Sequence, residues 1–336
     1  MPATLGFGIL GTGNIANQFA MGIATSVRTR TVAVGSRSVD SARAFADRFG
    51  IQKVHGSYGS LLSDQEVDAV YLSLPNSMHH EWTIRSLRAG KHVLCEKPLA
   101  VTAAQGREMF EEARRAGRTL VEAFMYVSHP QTRAIIDAVR GGTIGELRLI
   151  RTSFCYRTTR VDGNIRFDPA MAGGATMDVG CYCVHFSRMV AGAEPDSVHA
   201  VSQLHESGVD LTTTGVLHFP AGVVASFVCG MGVQCDNTAH VCGTEGYIEI
   251  PWPWKPLKTA TYTIAHSAPP RQDKGLTAPS PRREMTITAA RGLYALEADD
   301  FAAAVLDGAP PALTESNTLG NLRVMDEIRR QIGAKY

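Results

Sequence analysis

The sequence predicts an α/β protein of two domains, because the pattern of predicted helices and strands changes once along its 336 residues. From residue 5 to residue 123, short apolar runs alternate with helical segments, which is the pattern of a doubly wound parallel sheet. From residue 124 onward, longer β-rich segments joined by Gly, Pro and Asp turns predict a large open sheet that is mainly antiparallel. We therefore predict domains at residues 1–123 and 124–336, with room for the C-terminal helices to pack back on the first domain.

A glycine-rich turn follows the first predicted strand, Leu5 to Leu10. Residues 11–16 read GTGNIA, the GxGxxA form of the dinucleotide-binding fingerprint, and a helix to about Thr25 follows. The first glycine allows a tight turn, the second lets the backbone approach a pyrophosphate, and the alanine lets the helix pack closely on the strand. The helix N-terminus attracts the same anion. This pattern predicts a Rossmann domain that contacts a dinucleotide through Gly11, Thr12, Gly13, Asn14 and Ile15.

The second predicted strand, Thr31 to Gly35, ends where dinucleotide-binding domains place the group that contacts the adenosine ribose. Here the chain reads Ser36-Arg37-Ser38, which offers a guanidinium and two hydroxyls and no carboxylate. These donors suit a 2′-phosphate, so NADP is predicted in preference to NAD. Asp40 lies slightly further on and is expected to cap a helix from Ser41 to Phe49.

The next strand end carries further candidate contacts at the same edge of the sheet. After a short helix at residues 58–62, a strand from 68 to 74 stops at Pro75-Asn76, and a helix to Leu87 follows. Ligands of open α/β sheets bind beyond the carboxyl ends of the strands. Leu74, Asn76 and His79 are therefore candidate cofactor contacts, and His79 or His80 could instead reach the substrate or simply face solvent.

The stretch from His92 to Leu99 ends in Glu-Lys-Pro and brings a lysine to that edge. Its apolar run predicts a buried parallel strand. Pro98 disfavours a helical conformation at Lys97 and permits a cis bond, so we expect the ammonium in a tight turn. The alternative is a solvated loop lysine paired with Glu96. A helix at 103–116 and a strand at 118–123 complete the first domain.

The second domain is predicted to place a polar set at the start of a helix. A helix at 131–140 is followed by β-rich segments at 147–157, 198–205, 212–219, 223–229 and 238–250. A glycine pair at 173–174 precedes a predicted helix, in which spacings of four and seven place Asp178, Tyr182 and His185 on one face. Asp178 would lie at the positive end of that helix. The alternative is a tyrosine half buried in the core.

The rest of the second domain is predicted as a loop and two helices. Residues 266–283 predict an exposed loop, and residues 294–306 and 319–331 predict helices.

Composition argues against several classes of partner. With 33 basic and 32 acidic side chains, the net charge of +1 favours neither nucleic acid nor an anionic membrane, so a small molecule is expected. Seven cysteines without a CxxC pair favour reduced thiols in the cytoplasm. Cys181, Cys183 and His185 lack zinc-finger spacing, so no metal site is expected. The sequence shows neither a signal-peptide pattern nor the ~18 apolar residues of a membrane span.

Separated motifs in a fixed order together resemble the Gfo/Idh/MocA family, named for glucose-fructose oxidoreductase, inositol dehydrogenase and rhizopine catabolism. They are GTGNIA at 11–16, EKPL at 96–99, EAFMY at 122–126, GGA at 173–175 with DVGCY at 178–182, and GTEG at 243–246. The resemblance implies a Rossmann domain, then an α/β domain whose open sheet often forms a homo-oligomer, here a dimer or tetramer. It also implies that Glu96 and Lys97 lie at the cofactor, with Lys97 beside the nicotinamide. Asp178 and Tyr182 would reach the substrate.

Tyr182 points to one branch of that family. Inositol dehydrogenases carry histidine at this position, whereas tyrosine, together with Tyr126 and the Asn164-Ile165-Arg166 run, resembles NADP-dependent D-xylose dehydrogenases and trans-dihydrodiol dehydrogenases. Tyr126 and Arg166 are therefore predicted substrate contacts. Residues 127–130 depart from the arginine-containing run usual after that tyrosine.

The chemistry of hydride transfer suggests a role for each of these residues. As hydride leaves the carbinol carbon, the alcohol must lose a proton, and Tyr182 can exchange it. A phenol with a pKa of about 10 needs a nearby cation to do so at neutral pH, and Lys97 is the candidate. Either of the two could transfer the proton. Asp178 would hold a substrate hydroxyl or orient Lys97.

Three functions remain open from the sequence. The first is an NADP-dependent dehydrogenase acting on an aldose at C1 or on a related sugar. The second is oxidation of cyclic trans-dihydrodiols in a more apolar pocket. The third is a regulator that only senses NADP, against which the intact Lys97, Asp178 and Tyr182 argue.

Overall fold

The computed structural model describes residues 4–266 and 281–335, and they form two compact units. The first unit contains the described residues up to 128, together with 170–172 and 290–323. The second contains 129–169, 173–289 and the chain from 324 onward, where described. Within the described residues, no helix is both long enough and apolar enough to cross a bilayer.

The first unit is built on a six-stranded, wholly parallel sheet in the order β3-β2-β1-β4-β5-β6. Its strands are β1 (Leu5–Leu10), β2 (Thr29–Gly35), β3 (Lys53–His55), β4 (Ala69–Leu72), β5 (His92–Glu96) and β6 (Leu120–Ala123). The helices between them are α1 (Asn14–Ile23), α2 (Val39–Phe49), α3 (Tyr58–Leu62), α4 (Asn76–Arg88) and α5 (Ala103–Ala116). This is the predicted doubly wound arrangement, and the fold class is confirmed.

The core of this unit explains why its central strands read as uninterrupted apolar runs. Both β1 and β4 are buried along their whole length, because helices cover both faces of a parallel sheet. Phe19 of α1 stacks on Tyr71 of β4 with ring centroids 3.6 Å apart, and Phe7 of β1 meets Phe19 edge-on at 5.6 Å. The packing leaves the strand ends, not the strand faces, available to a ligand.

One helix start differs from the sequence prediction. Helix α2 begins at Val39, and the hydroxyl of Ser38 accepts a hydrogen bond from the Ser41 amide at 3.3 Å. The expectation that Asp40 caps a helix starting at Ser41 was therefore wrong. Asp40 lies in the first turn instead, where a carboxylate is favoured by the positive end of the helix.

The second unit is built on an eight-stranded sheet in the order β14-β13-β12-β11-β7-β10-β9-β8. Helix α6 (Pro130–Arg140) leads into β7 (Leu147–Cys155), and α7 (Cys181–Ala191) precedes β8 (Ser197–Leu204), β9 (Asp210–His218) and β10 (Val224–Gly230). The remaining strands are β11 (Ala239–Gly243), β12 (Gly246–Ile250), β13 (Thr259–His266) and β14 (Arg282–Thr288). All neighbouring strands are antiparallel except β7 and β10, so the predicted mainly antiparallel sheet is confirmed.

Two features of this sheet were missed by the sequence reading. The predicted segment at 238–250 is two antiparallel strands, β11 and β12, joined by a turn at Thr244 and Glu245. A β-carbon on Gly243 would lie 2.1 Å from the carbonyl oxygen of Ile144, so this position requires glycine. Strands β13 and β14 were not predicted. Strand β14 is a largely exposed edge strand, whereas β13 alternates exposed and buried residues over most of its length and could have been predicted. Residues 267–280 of the exposed loop predicted at 266–283 lie outside the described residues. The loop prediction was wrong at its described ends, because His266 is the last residue of β13 and Arg282 and Arg283 begin β14.

The last two helices are α8 (Leu293–Leu306) and α9 (Glu315–Ile332). Helix α8 belongs to the first unit and packs against α1. The contact is close, since a β-carbon on Gly22 of α1 would lie 2.6 Å from the Tyr294 side chain. The Tyr294 hydroxyl also donates to the Gln18 side chain at 3.0 Å.

Candidate active site

The glycine-rich turn between β1 and α1 has the geometry of an anion cradle. Gly11 has a φ of +99°, and an added β-carbon would lie 3.2 Å from the Ser73 carbonyl oxygen, so both its conformation and its surroundings require glycine. A β-carbon on Gly13 would meet nothing within 4 Å, so the space in front of this residue is open. Gly13 caps the ten-residue α1 with no side-chain hydrogen bond to its first amides. Those amides can therefore bind a phosphate.

The end of β2 presents the predicted ribose-side residues in different environments. Ser36 is buried, while Arg37 and Ser38 are exposed. The Arg37 guanidinium hydrogen-bonds to Tyr58 of α3. Burial raises the pKa of that phenol and the positive charge of Arg37 partly opposes the shift. Arg37 is thus held at the sheet edge by an aromatic neighbour while staying open to solvent.

Buried polar groups hold the turn that carries Lys97. The Lys97–Pro98 peptide bond is cis. The Glu96 carboxylate accepts hydrogen bonds from the Tyr71 hydroxyl and, at 3.3 Å, from the Lys97 amide. Glu122, at the end of β6, accepts from the Leu99 amide at 2.9 Å. The turn that carries the half-buried Lys97 side chain is therefore fixed through three neighbouring strands.

His79 braces the same turn. Its ring lies between two carbonyl oxygens, that of Pro98 at 2.9 Å from Nδ1 and that of Leu74 at 2.9 Å from Nε2, and the residue is fully buried. Burial lowers the pKa of His79, the hydrogen bonds with the Pro98 and Leu74 carbonyl oxygens oppose this shift, and the positive charge of Lys97 lowers the pKa further. This geometry gives His79 a structural role between two strand ends. Its direct contact with a cofactor stays a prediction.

The other candidates of the first unit lie in more enclosed positions. Leu74 is buried, and the Asn76 side-chain amide donates to the Ala172 carbonyl oxygen at 2.9 Å. Tyr126 is fully buried, with its ring edge-on to Phe124 at 6.1 Å. The contacts predicted for these side chains with cofactor or substrate stay predictions.

In the second unit, Asp178 is the centre of a charged network. The Tyr156 hydroxyl donates to Asp178 Oδ2 at 2.6 Å, and Arg166 Nε donates to the same oxygen at 2.8 Å. Two predicted substrate residues, Asp178 and Arg166, are thus joined in one ion pair. Sequence reasoning missed Tyr156, although it lies near the end of the β-rich segment predicted at 147–157, and other candidate site residues also lie at strand ends.

Tyr182 lies within an aromatic cluster on the same unit. Its ring centroid is 5.3 Å from Phe154 and 6.1 Å from Trp254, and Phe154 stacks on Trp254 at 5.6 Å. The indole of Trp254 donates to the Ser153 carbonyl oxygen at 2.8 Å, which fixes the cluster. His185 is also buried, where desolvation first and then Arg188 lower its pKa to about 3. A neutral buried histidine of this kind serves the core.

The helix carrying these residues starts with a π-helical turn at Thr176–Gly180 before α7. Such a turn holds more residues than an α-helical turn, so the α-helical spacing used to place Asp178, Tyr182 and His185 on one face does not hold across it. Turns of this type are frequent at functional sites. The predicted helix is present, but its first turn aims Asp178 differently from an ideal α-helix.

A buried carboxylate anchors that turn. Asp210 Oδ2 accepts hydrogen bonds from the Thr176 amide at 2.7 Å, the Thr176 hydroxyl at 2.6 Å and the Thr213 hydroxyl at 2.8 Å. The glycine pair before the turn makes room for this arrangement. A β-carbon would lie 2.4 Å from the Arg166 carbonyl oxygen at Gly173, and 2.2 Å from Asp210 Oδ1 at Gly174. The GGA motif is therefore required by packing at the base of the Asp178 site.

We expect Gly174→Ala to lower the free energy of unfolding by about 2–3 kcal/mol, because φ is +101° and the new methyl group meets a buried carboxylate. Gly192→Ala is the matched control. Its φ of +65° is also left-handed, but a β-carbon there meets nothing within 4 Å, so it should cost roughly 1 kcal/mol. Urea denaturation of both variants measures the difference, and equal losses would contradict the steric role of Asp210.

Two family models match this chain. Residues 5–124 match the Gfo/Idh/MocA oxidoreductase family, NAD-binding Rossmann fold, and residues 132–249 match the Gfo/Idh/MocA C-terminal domain. The chain belongs to the Gfo/Idh/MocA family. The resemblance seen in the sequence motifs is confirmed, and members of this family are oxidoreductases.

Full-length relatives within the Gfo/Idh/MocA family have named activities. The chain is 34% identical over 340 residues to trans-1,2-dihydrobenzene-1,2-diol dehydrogenase of Bos taurus, covering 99% of this chain and 98% of that protein. It is 33% identical over 324 residues to D-xylose 1-dehydrogenase (NADP(+)) 2 of Haloferax volcanii, covering 96% and 95%. Among solved structures, KijD10, a 3-ketoreductase from Actinomadura kijaniata in complex with NADP and TDP-benzene, matches with a TM-score of 0.87, 31% identity and 98% of both chains covered.

Proposed function

We propose that this chain is an NADP-dependent oxidoreductase that moves hydride between the cofactor and a sugar, at C1 of an aldose or at a related carbinol or carbonyl carbon. The observation that carries the proposal is the Asp178 carboxylate, which Arg166 and Tyr156 hold at fixed positions. Such a carboxylate recognises a substrate hydroxyl. The relative named as a D-xylose dehydrogenase and the 3-ketoreductase KijD10 support a sugar-like substrate.

The residues of the first unit fit a bound NADP. The open turn at Gly11, Thr12, Gly13, Asn14 and Ile15 would hold the pyrophosphate, because its backbone approaches closely and the α1 amides face it. Ser36, Arg37 and Ser38 would hold the 2′-phosphate. When bound, the nicotinamide supplies or accepts the hydride. A proposed contact of Glu96 and Lys97 with the nicotinamide end follows from the turn at the end of β5.

We expect Arg37→Ala to weaken NADP binding by about tenfold or more and to leave NAD binding nearly unchanged, because the 2′-phosphate, which NAD lacks, is the only part of the cofactor that we propose the guanidinium contacts. Arg43→Ala is the matched control, since it removes an exposed arginine from α2 and so makes the same change in net charge. Fluorescence titration of both cofactors with each variant measures the effect. Equal affinity of the unmodified protein for NADP and NAD would remove the basis of the prediction.

The catalytic roles we propose are divided between three side chains. Tyr182 exchanges the proton of the reacting hydroxyl as the carbon–hydrogen bond breaks, and the hydride leaves with its electron pair. Lys97, as a cation, stabilises the negative charge that develops on the oxygen. Asp178 holds a neighbouring hydroxyl and so orients the substrate. Tyr126 is proposed as a further contact of the sugar.

A panel of substrates tests the proposed function. Aldoses, polyols, ketosugars and dihydrodiols are assayed with NADP and NAD by the absorbance of the reduced nicotinamide. A site that hydrogen-bonds several hydroxyls rejects analogues that lack them, because its polar groups are left unpaired. Aldoses should therefore be turned over well and their deoxy analogues poorly. No turnover of any sugar or diol would overturn the proposal.

One observation favours a second candidate, a trans-dihydrodiol dehydrogenase. The rings of Phe154, Tyr182 and Trp254 form a packed aromatic cluster, and aromatic neighbours around the proposed catalytic tyrosine suit a cyclic hydrocarbon diol. The Bos taurus relative carries that name. Turnover of benzene dihydrodiol far above that of every aldose in the panel would make this the function.

We propose that the protein acts as a homo-oligomer, a dimer or tetramer, through the sheet of the second unit, and that it works in the cytoplasm. Strand β8 is an edge strand of that sheet and leaves Val201 68% exposed, which supports contact with a second copy at this edge. Light scattering of the purified protein measures the subunit count.

A further inference from the structure

We propose that Tyr156 is a positioning residue, which holds Asp178 in place as a charged acceptor for one substrate hydroxyl. The inference rests on the function proposed above, because it assigns a residue to the recognition of that substrate. Tyr156 does not itself contact the reacting atoms in this scheme. It acts through Asp178.

The contacts around Asp178 form a closed triangle. Oδ2 of Asp178 receives the Tyr156 hydroxyl at 2.6 Å and the Arg166 Nε at 2.8 Å, and Tyr156 and Arg166 also hydrogen-bond to each other. The Asp178 side chain is 15% exposed and that of Arg166 is 45% exposed. The network therefore reaches solvent on one side, where a small molecule could approach, while the phenol holds the carboxylate from within.

The chemistry of the triangle keeps each group in one protonation state. Burial and then the Asp178 charge raise the pKa of Tyr156, so the phenol stays a donor at neutral and alkaline pH. The Asp178 charge also raises the pKa of Arg166, which stays a cation. Two donors on one oxygen favour the ionised form of the carboxylate. An ionised carboxylate only accepts hydrogen bonds, so it selects a hydroxyl and disfavours an anionic substrate group at that position.

The backbone fixes both donors before substrate arrives. The Tyr156 amide donates to the Gly230 carbonyl oxygen at 2.9 Å. The Asn237 side chain holds the preceding residue, Cys155, through two hydrogen bonds. It accepts one from the Cys155 amide at 2.6 Å and donates the other to the Cys155 carbonyl oxygen at 2.9 Å. On the other side, the Arg166 carbonyl oxygen receives the Gly174 amide at 2.8 Å. A site residue supported in this way loses little freedom when it binds its ligand.

The test is Tyr156→Phe, which keeps the ring and removes only the hydroxyl. For the best hydroxyl-bearing substrate of the panel, we expect KM to rise about tenfold, the size of a lost hydrogen bond to a charged group, while kcat changes little. NADP affinity should match that of the unmodified protein. Tm should fall only modestly, because the Tyr156–Asp178 hydrogen bond is already present without substrate. Tyr156→Met also lacks the donor and should show the same pattern, so the test does not depend on one variant folding.

Comparing a substrate with its deoxy analogue in each variant separates a positioning role of Tyr156 from a merely structural one. The deoxy analogue lacking the hydroxyl that Asp178 binds should show the same KM with Tyr156→Phe as with the unmodified protein. In an Asp178→Asn background, Tyr156→Phe should cause no further loss. The matched control is Tyr247→Phe, since the Tyr247 hydroxyl also accepts from an arginine, Arg282 at 3.1 Å, on the same sheet. That variant should keep the normal KM for both substrates.

The outcomes distinguish this inference from the proposed function. If the unmodified protein turns over no sugar or diol, the proposed function fails. If it does turn over a sugar, and Tyr156→Phe has either an unchanged KM or an equal loss for the substrate and its deoxy analogue, the positioning role of Tyr156 is overturned and the proposed function stands.

Discussion

Lys97→Met is expected to lower kcat by on the order of 10³-fold while NADP still binds. Methionine has a similar length and keeps the packing of the turn, but it removes the positive charge that we propose stabilises the developing oxyanion. The turn that we propose binds the pyrophosphate, at Gly11 and Gly13, follows a different strand, so cofactor affinity should change far less than turnover. Steady-state kinetics and NADP titration of the purified variant measure the two effects separately.

The control for this experiment is Lys258→Met, which removes the same charge from an exposed lysine of the second unit. It should leave kcat unchanged. A second check uses the turn itself, since His79 and Glu122 hold its backbone independently of the lysine side chain. Tm of Lys97→Met should therefore stay close to that of the unmodified protein. Normal turnover in Lys97→Met would mean that the lysine is not part of the catalytic machinery.

The features that could be predicted from sequence are those encoded over short distances. The GTGNIA turn needs glycine for its backbone conformation, and the apolar runs of β1, β4 and β5 need helices on both faces. The position of Lys97 at a strand end follows from the same local pattern. These features can be predicted because the residues that determine each of them lie within a few positions of one another along the chain.

The features that were missed depend on residues distant in sequence. Asp210 anchors the Thr176 turn from 34 positions away, and Tyr156 reaches Asp178 across 22 positions. Neither pairing leaves a local periodicity. A tyrosine within an apolar strand does indicate that a polar partner lies nearby, because a buried hydroxyl needs a hydrogen-bond partner. Tyr71 of strand β4 is an example, since its hydroxyl donates to Glu96.

The helix start at Asp178 shows a third limit. A π-helical turn and an α-helical turn can have the same composition, so the spacing of Asp178 and Tyr182 could not fix their relative direction. The misplaced cap at Asp40 has a similar cause, because Ser38 and Asp40 both belong to residue types that favour the start of a helix. Sequence reasoning thus named candidate residues, but it did not name their hydrogen-bond partners.

Tyr182→Phe is expected to lower kcat by on the order of 10²-fold or more, because phenylalanine keeps the ring but has no proton to exchange. The ring contacts with Phe154 and Trp254 should survive, so Tm should be nearly unchanged. Phe154→Leu is a useful comparison, since it disturbs the same aromatic cluster without removing a hydroxyl. It should lower Tm more than Tyr182→Phe and lower kcat less.

The double variant Lys97→Met with Tyr182→Phe then tests whether the two side chains act as one unit. Groups that cooperate in a single step are strongly non-additive, so the double variant should be little slower than the slower single variant. If the fold-losses in kcat of the two single variants multiply in the double variant, the lysine and the tyrosine contribute to separate steps. Near-normal turnover in Tyr182→Phe alone would move the proton exchange to Lys97 and leave Tyr182 as a substrate contact, and near-normal turnover in both single variants would mean that the reaction takes place elsewhere on the chain.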